Sequence, residues 1–312
     1  MDALDSKILQ MLDWNGRIPL TRLARQLRAS KEVVAYRVNK LQESGVIRRY
    51  YPVLDMCKLG YFTSRIMFDL EELNEKEEQA FVEFLDKEIG AGLIFRMDYP
   101  YRWGIFAWTK SVYDVENIIV RIKGFLGSKV LGYNYSLICT FRQYPKDYIF
   151  GKKYHDLYRS LEPTASVAYD KEDYRILKEL AANARASTAE ISRETGIPQT
   201  TISQKIKAME RKKIIIGYRA ELDFIKLGFT NWFLHIYLDK NDNMKDIEKW
   251  ANGNPHVVWL QKIIGMCDIE IEVEMKNRTE LEKLLQELRQ RFKNIRKIVF
   301  FSQEYRKLTF LP

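Results

Sequence analysis

The chain contains little cysteine and histidine, and it has no long apolar run. Its 312 residues include three cysteines and three histidines. Cys57, Cys139 and Cys267 are far apart and odd in number, so they fit neither a disulfide framework nor a metal-binding knuckle and indicate a reducing cytoplasm. No apolar stretch approaches the roughly 18 residues of a membrane span, and residues 1–5 lack the basic and then apolar pattern of a secretory signal. We expect a cytoplasmic protein with no membrane partner.

Motifs that identify many enzymes are also missing from the sequence. It contains no zinc-protease pattern, nucleophile elbow or dinucleotide fingerprint. Gly151-Lys152-Lys153 lacks the preceding glycine and the following Ser or Thr of a phosphate-binding loop. His155, His235 and His256 are far apart and are interpreted as ordinary surface or packing residues. These absences favour a binding protein over an enzyme, and we expect no catalytic residue, cofactor or metal.

Positive charge is in excess, and it is concentrated in two segments of similar length. The formal net charge is +9. Residues 1–51 carry ten Lys and Arg against five Asp and Glu, and residues 169–219 carry eleven against seven. Phosphate binding predicts such focusing of charge, although many basic proteins bind no nucleic acid.

A shift of 168 residues superposes these two basic segments without a gap. Apolar positions match along the span, and at least thirteen positions are identical, so the chain contains an internal duplication. In the first copy the identical residues include Asp5, Ile8, Leu9, Leu12, Asn15, Arg17, Arg25, Tyr50, Leu54, Asp55, Lys58, Leu59 and Gly60.

Each copy begins with a pattern of three helices. In the first copy these are predicted at residues 5–14, at 20–27 and from Ser30, whose hydroxyl can cap the third helix, to the stop at Gly45. The buried stripe of this third helix is Val34, Val38 and Leu41. The second copy repeats the pattern at residues 173–182, 188–195 and 198–212. Helices two and three form a helix-turn-helix, and the basic residues after Gly45 predict a short extended wing.

The polar side chains of the third helices and the basic wing are the candidate DNA contacts. A helix with one apolar face and a basic, hydrogen-bonding remainder is suited to read the major groove, whereas a solvated helix face is the plainer interpretation. The second copy lacks the Arg pair of the first wing, so a degenerate, structural helix-turn-helix is its alternative. The candidates are Ser30, Lys31, Tyr36, Arg37, Lys40, Arg48 and Arg49 in the first copy and Gln199, Thr200, Ser203, Gln204 and Lys207 in the second.

After each helix-turn-helix the pattern changes to the order βαββαβ. The predicted elements are residues 63–70, 74–88, 93–99, 103–109, 112–126 and 129–141, and then 232–238, 244–252, 257–263, 268–275, 279–292 and 295–301. This order is that of a ferredoxin-like sandwich, whose helices cover one face of an antiparallel sheet and leave the other face for a partner. The predicted fold class is therefore α+β. The predicted domains are residues 1–58 (helix-turn-helix), 59–145 (βαββαβ), 146–168 (linker), 169–226 (helix-turn-helix) and 227–312 (βαββαβ).

Four carboxylates alternate along one predicted strand of the second copy and share one face of the sheet. They are Asp268, Glu270, Glu272 and Glu274. Such neighbours converge poorly on a metal ion, so we expect them to be solvated or to meet basic groups across a sheet–sheet interface. We place Trp103, Ile105, Ala107 and Thr109 at the matching positions of the first copy, which predicts that the two bare faces differ.

A helix-turn-helix, a hinge strand and then βαββαβ together resemble the Lrp/AsnC (feast/famine) family of transcription regulators. The resemblance rests on Leu4-Asp5, Ile8-Leu9, Asn15-x-Arg17, Gly45-Val46-Ile47, Leu54-Asp55 and Leu59-Gly60, with a second set at Ile176-Leu177, Asn183-x-Arg185, Leu222-Asp223 and Leu227-Gly228. It implies a RAM-type βαββαβ domain that self-associates, as an intramolecular pseudo-dimer, a homodimer or both. It also implies an amino-acid-like effector at a Gly-x-x-Asp turn, matched here by Gly265, Met266, Cys267 and Asp268. Residues 100–103 of the first copy depart from that pattern.

We therefore expect a sequence-specific regulator that binds double-stranded DNA and responds to a small metabolite. Two alternatives stay open. Siroheme decarboxylases resemble the same family, but their His-rich strand signature is missing from residues 93–109. A DNA-coating architectural protein would share the charge pattern without sequence specificity.

Overall fold

The computed structural model describes residues 1–97, 101–149, 158–162, 164–239, 244–309 and 311. Pro100, Gly151-Lys152-Lys153 and His155, which the sequence singled out, lie outside the described residues, as do residues 154, 156, 157 and 163 of the predicted linker. Within the described ranges no helix is long and apolar enough to cross a membrane.

The elements follow the predicted order in both copies. The helices are α1 (Ala3–Trp14), α2 (Leu20–Leu27), α3 (Lys31–Glu43), α4 (Glu75–Phe84), α5 (Val112–Leu126), α6 (Lys171–Ala182), α7 (Thr188–Thr195), α8 (Gln199–Arg211), α9 (Met244–Gly253) and α10 (Arg278–Arg291). The strands are β1 (Ile47–Leu54), β2 (Phe62–Leu70), β3 (Leu93–Met97), β4 (Trp103–Thr109), β5 (Val130–Gln143), β6 (Arg159–Leu161), β7 (Ile215–Leu222), β8 (Thr230–Leu238), β9 (Val257–Ile264), β10 (Ile269–Met275) and β11 (Ile295–Leu308). A π-helical turn at Leu85–Ile89 continues α4.

The first helix of each copy begins at a carboxylate cap that the sequence dictates. Asp2 accepts hydrogen bonds from the amides of Leu4 and Asp5, and the Asp5 carboxylate accepts from the Asp2 amide in return. Asp170 and Asp173 form the same reciprocal box at the start of α6. A cap of this kind satisfies amides that the first turn leaves without a partner.

The turns between helices two and three use the left-handed backbone region in both copies. Arg28 ends α2 with a φ of 53°, and Gly196 ends α7 with a φ of 71°. These two residues are equivalent under the 168-residue shift. Glycine enters this region without steric cost, whereas Arg28 is one of few side chains that adopt it.

The predicted wings pair with each other. β1 and β7 form an antiparallel two-stranded sheet, here called the wing sheet, in which Tyr51 lies opposite Arg219 and Ile47 opposite Leu222. Buried residues of both helix-turn-helix units then form one continuous apolar cluster. The two units are therefore one body with approximate twofold symmetry, in which equivalent surfaces face each other.

The two βαββαβ sheets close into a single eight-stranded barrel. The hydrogen-bonded order is β2-β4-β3-β11-β8-β10-β9-β5, and β5 also pairs with β2. The long strands β5 and β11 make the closure, because the first half of each pairs within its own copy and the second half pairs with the other copy. Helices α4, α5, α9 and α10 cover the outside through two separate cores. The bare faces of the two predicted sheets thus form the barrel interior.

One predicted alignment within the barrel was wrong. Strand pairing places Gly104, Phe106 and Trp108 of β4 at the positions that Glu270, Glu272 and Glu274 occupy in β10. Trp103, Ile105 and Ala107, which the sequence had matched to these glutamates, instead face the helices in the core of the first copy. The hairpin has the same register in both copies, with Arg96 opposite Trp103 and Lys262 opposite Ile269. The predicted alignment was therefore displaced by one residue, and such a shift moves a strand's side chains to the other face.

The predicted linker contributes a strand to the sheet. β6 pairs with the end of β5, where Phe141 lies opposite Leu161. Arg159 of β6 donates to the Trp14 carbonyl at 2.6 Å, and its guanidinium stacks 3.9 Å from the Trp14 ring. The described part of the linker thus fastens the barrel to the first helix of the chain.

Candidate functional site

The third helix of the first copy presents three of the predicted DNA contacts to solvent. Lys31 and Lys40 are exposed, and Tyr36 retains 64% of its accessible surface. Ser30 caps the helix, since its hydroxyl accepts from the Val33 amide at 3.2 Å. The opposite stripe is buried, as predicted. The exposed side of α3 therefore combines two cations with one aromatic hydroxyl.

The fourth predicted residue of α3 lies in an ion-pair cluster. Arg37 contacts the carboxylates of Asp2 at 2.5 Å and Asp5 at 3.0 Å. The equivalent cation of the second copy, Lys205, contacts Asp170 at 2.6 Å and Asp173 at 3.1 Å. Each cation thus fastens a third helix to the cap of a first helix. DNA contact by Arg37 stays a prediction, but its guanidinium already has two carboxylate partners within the chain.

The predicted Arg pair of the first wing lies against the second wing. Arg48 donates to Asp223 at 3.0 Å, and Arg49 donates to Glu221 at 2.6 Å. Arg49 also contacts the Leu308 carbonyl at the end of β11. These contacts bind the wings to each other and to the barrel, and DNA contact by the pair likewise stays a prediction.

The third helix of the second copy exposes a less basic set. Gln199, Thr200, Gln204 and Lys207 are exposed, and Ser203 is half-buried. Amides and hydroxyls can bond to base edges but add little attraction for phosphate. The two third helices therefore offer different chemistry on the same scaffold.

A reciprocal pair of arginines joins the two helix-turn-helix units. Arg17 donates to the carbonyls of Ala184 and Ala186 at 3.0 and 3.2 Å, and its guanidinium lies 5.4 Å from the ring centre of Tyr218. Arg185 makes the mirror set of contacts, to the carbonyls of Gly16 and Ile18 and to the Tyr50 ring. Sequence reasoning gave these residues no role in joining the units, although Arg17 matches Arg185 and Tyr50 matches Tyr218 between the copies.

The Gly-x-x-Asp turn that the resemblance links to an effector is packed closely against other parts of the chain. Gly265 has a φ of +123°, and a Cβ there would lie 2.5 Å from the Tyr135 carbonyl oxygen of β5. Met266 and Cys267 are buried in the barrel interior. Asp268 accepts from the Leu238 amide at 2.7 Å. Effector binding by these four residues stays a prediction, and none of them lines the cavity between the wing sheet and the barrel.

A cavity of about 230 Å³ lies between the wing sheet and the barrel, and we call it the junction cavity. Residues of β1 and β7 form one side of it, and residues from β4, β5, β8, β9, β10 and β11 form the other. Eight aromatic side chains are among the described lining residues: Tyr51, Phe106, Trp108, Phe141, Phe224, Phe233, Trp259 and Tyr305. The sequence did not reveal this cavity.

The barrel interior also holds the three buried glutamates of β10. Glu270 forms an ion pair with Arg65 of the first copy and lies 2.6 Å from the His235 ring nitrogen Nε2. Although burial alone would raise the pKa of Glu270, the charge of Arg65 and the hydrogen bond with His235 hold it below its usual range. This contact confirms that a carboxylate of the row meets a basic group across the joined sheets.

Glu272 and Glu274 line the junction cavity. Glu272 Oε1 accepts from Asn231 at 2.7 Å and from the Tyr305 hydroxyl at 2.8 Å. Burial raises the pKa of Glu272 to about 7, and these two hydrogen bonds offset only part of that rise. Burial also raises the pKa of Glu274, which forms an ion pair with Lys146. Among the described residues, no cluster of His, Cys, Asp and Glu is suited to hold a metal ion.

Comparison with known proteins agrees with this architecture. A winged helix-turn-helix DNA-binding family matches residues 1–48 and again residues 170–216. The whole chain is similar in fold to the solved structure of the siroheme decarboxylase NirDL, with a TM-score of 0.64 at 15% identity, covering 99% of this chain and 94% of that one. At this identity the likeness shows a shared tandem fold alone.

Relatives of known sequence match about one copy at a time. The proline dehydrogenase transcriptional activator of Rhodobacter capsulatus is 33% identical over 122 residues, which are 38% of this chain and 79% of that protein. The HTH-type transcriptional regulator LrpB of Bacillus subtilis is 32% identical over 69 residues, which are 22% of this chain and 46% of that protein. These matches and the fold place the chain in the Lrp/AsnC family of helix-turn-helix transcription regulators.

Proposed function

We propose that the chain is a sequence-specific regulator that binds double-stranded DNA through both third helices. The observation that carries the proposal is the pairing of two helix-turn-helix units through the wing sheet, with one side of each third helix buried and the other exposed. Such a body can present two recognition helices from one chain. Cations at Lys31 and Lys40 supply attraction for phosphate.

The two units differ, and this predicts an asymmetric site. Where α3 exposes Lys31, Tyr36 and Lys40, α8 exposes amides, a hydroxyl and Lys207. Half-sites about one helical turn apart, with different sequences, are expected for a pseudo-dimer of this kind. Selection of bound fragments from random DNA, followed by sequencing, tests this proposal. Enrichment of one asymmetric motif supports the proposal. Enrichment of a perfect palindrome contradicts the expectation that α3 and α8 recognise different sequences. No enrichment would favour an architectural DNA-coating protein.

The salt dependence of binding tests the named residues. Lys31→Ala and Lys40→Ala should each weaken binding, and each should lower the slope of log K against log salt by about 0.9 for each lost phosphate contact. Lys283→Ala is the matched control, because Lys283 is an exposed lysine on α10 outside the barrel. A slope that stays unchanged in both α3 variants would remove these lysines from the interface.

We also propose that a small metabolite bound in the βαββαβ part modulates DNA binding. The support is the position of the junction cavity, which borders both the barrel and the wing sheet. A ligand there would touch the sheet that joins the two DNA-binding units.

A siroheme-decarboxylase-like activity is the second candidate, and the whole-chain likeness in fold is what favours it. Against it stands the junction cavity, because about 230 Å³ is small for a macrocycle and two buried glutamates would repel an anionic one. The described strands β3 and β4 contain no histidine. A shift in the absorbance bands of an iron porphyrin on mixing with the protein would favour this candidate, and unchanged bands would count against it.

A further inference from the structure

The cations that line the junction cavity are paired with carboxylates, whereas one buried carboxylate of the lining, Glu272, has no cation as a hydrogen-bond partner among the described residues. Lys146 is paired with Glu274, and Arg219 is paired with Asp13. Arg48 likewise has Glu221 and Asp223 as partners. The cations that line the cavity therefore already have carboxylate partners.

Glu272 differs from these carboxylates, because its described hydrogen-bond partners are uncharged. It is 5% exposed, and both of its hydrogen bonds end on Oε1, which leaves Oε2 for another partner. Two neighbouring buried acceptors, Glu274 Oε2 and Asn231 Oδ1, have no hydrogen-bond partner among the described residues. Buried carboxylates and amides normally have their hydrogen bonds satisfied, so this group of oxygens points to a missing donor.

We propose that the junction cavity binds a primary amine carried on an aromatic ring, with the ammonium held between Glu272 and Glu274. The two glutamates are two residues apart on β10, so their side chains project from the same face roughly 7 Å apart along the strand. An ammonium has three donors. Two of them match the unpartnered oxygens Glu274 Oε2 and Asn231 Oδ1, and the third matches Glu272 Oε2, which takes neither hydrogen bond from Asn231 and Tyr305.

The walls of the cavity select the rest of the ligand. Phe106, Trp108, Phe233 and Trp259 line it and offer flat apolar surface to an aromatic ring. The cavity volume of about 230 Å³ is below the usual range for drug-sized ligands and suits a small molecule. A ligand carboxylate finds no unpaired cation among the described lining residues. The unpartnered donors there, Gln143 Nε2 and Gln303 Nε2, are uncharged amides, so the amine is preferred over an amino acid or an acid.

The inference rests on the proposed regulation by a small metabolite, but its test needs no DNA. Titration calorimetry of the full chain at pH 8 compares tryptamine, tryptophan and indole-3-acetate, which share one ring and differ in charge. Tryptamine is expected to bind at least tenfold more tightly than either other compound. Failure here overturns the amine site and leaves DNA binding untouched, whereas loss of DNA selection overturns the proposed function without affecting this titration.

Two variants locate the binding. Glu272→Gln keeps the Oε1 acceptor and removes the charge, so tryptamine affinity should fall at least tenfold. Glu304→Gln, an exposed carboxylate on β11, is the matched control and should bind like the unchanged protein. Equal binding of tryptamine and indole-3-acetate, or an unaltered tryptamine affinity in a folded Glu272→Gln variant, would overturn the proposal. Should that variant fail to fold, the three-ligand comparison on the unchanged chain still decides.

Discussion

Neutralising Glu272 should stabilise the protein at alkaline pH. The carboxyl ionises near its ordinary pKa of 4.5 in the unfolded chain, whereas burial raises the pKa to about 7 in the folded chain. Between these values the unfolded state releases the proton first, so the free energy of unfolding falls as pH rises. Each pKa unit of difference between the two states corresponds to about 1.4 kcal/mol. Ionisation of Glu272 therefore lowers the free energy of unfolding by about 3 kcal/mol, and this loss is absent below pH 4.5 and complete above pH 7.

Glu272→Gln removes this titration and keeps the hydrogen bonds from Asn231 and Tyr305, because both end on Oε1. Urea unfolding at intervals between pH 5 and pH 8.5 measures the difference between the two proteins. The variant should gain about 3 kcal/mol relative to the unchanged chain across that range, while Glu304→Gln should follow the unchanged chain. The groups that surround Glu272, including Lys146 and Glu270, are present in both proteins, so the difference contains the ionisation of Glu272 and its charge interactions with them. If the free energy of unfolding of Glu272→Gln and that of the unchanged chain differ by the same amount at every pH, the reasoning is refuted.

Two further substitutions test the contacts between the copies. Arg17→Ala removes two carbonyl hydrogen bonds to the second unit and should cost about 2 kcal/mol in urea unfolding, and Arg185→Ala should cost a similar amount. An exposed arginine of α2, Arg22, is their control, and an equal loss in Arg22→Ala would contradict the assignment. Gly265→Ala should cost more than about 1 kcal/mol, because φ is +123° and its Cβ would meet backbone, whereas Gly253→Ala meets open space and should be nearly neutral. Thermal unfolding of both glycine variants measures this difference in stability. Equal unfolding midpoints would contradict the conclusion that Gly265 packs closely against the backbone of β5.

Local signals in the sequence predicted the bounds of several helices closely. The bounds of α2, α5 and α7 agree with the predicted ranges, because each helix has an apolar stripe and a recognisable start or stop. The duplication also followed from the sequence, since identical residues recur at one fixed spacing. The ends of long strands were less predictable: β11 continues to Leu308, seven residues beyond its predicted end, because its last part pairs with the other copy.

The wrong alignment of β4 has a specific physical cause. In β10, isoleucine and valine alternate with glutamate, so the sequence marks the two faces. In β4, Trp103 and Ile105 on one face alternate with Gly104 and Phe106 on the other, and both faces are buried. A strand that is apolar on both sides carries no period-two signal, so its register depends on the partner strand.

The ion pairs and the cavity depended on contacts that the linear sequence does not display. Arg65 and Glu270 are 205 residues apart, and Arg48 and Asp223 are 175 residues apart. Each of these arginines was equally consistent with a free surface or an internal partner. Charge counting found the basic segments, but only the fold separates Lys31, which is exposed, from the arginines already paired with carboxylates.

The position of the junction cavity connects the two proposals. The wing sheet that lines it carries α3 on one strand and α8 on the other, so the cavity touches the element that fixes how the recognition helices are held. A ligand changes DNA affinity only by binding one placement of that sheet against the barrel more tightly than another. By linkage, DNA must then change the affinity of the ligand by the same factor. An amine that binds equally well with and without DNA would therefore occupy the cavity without regulating the protein. Binding of the amine and regulation of DNA affinity can thus be tested separately.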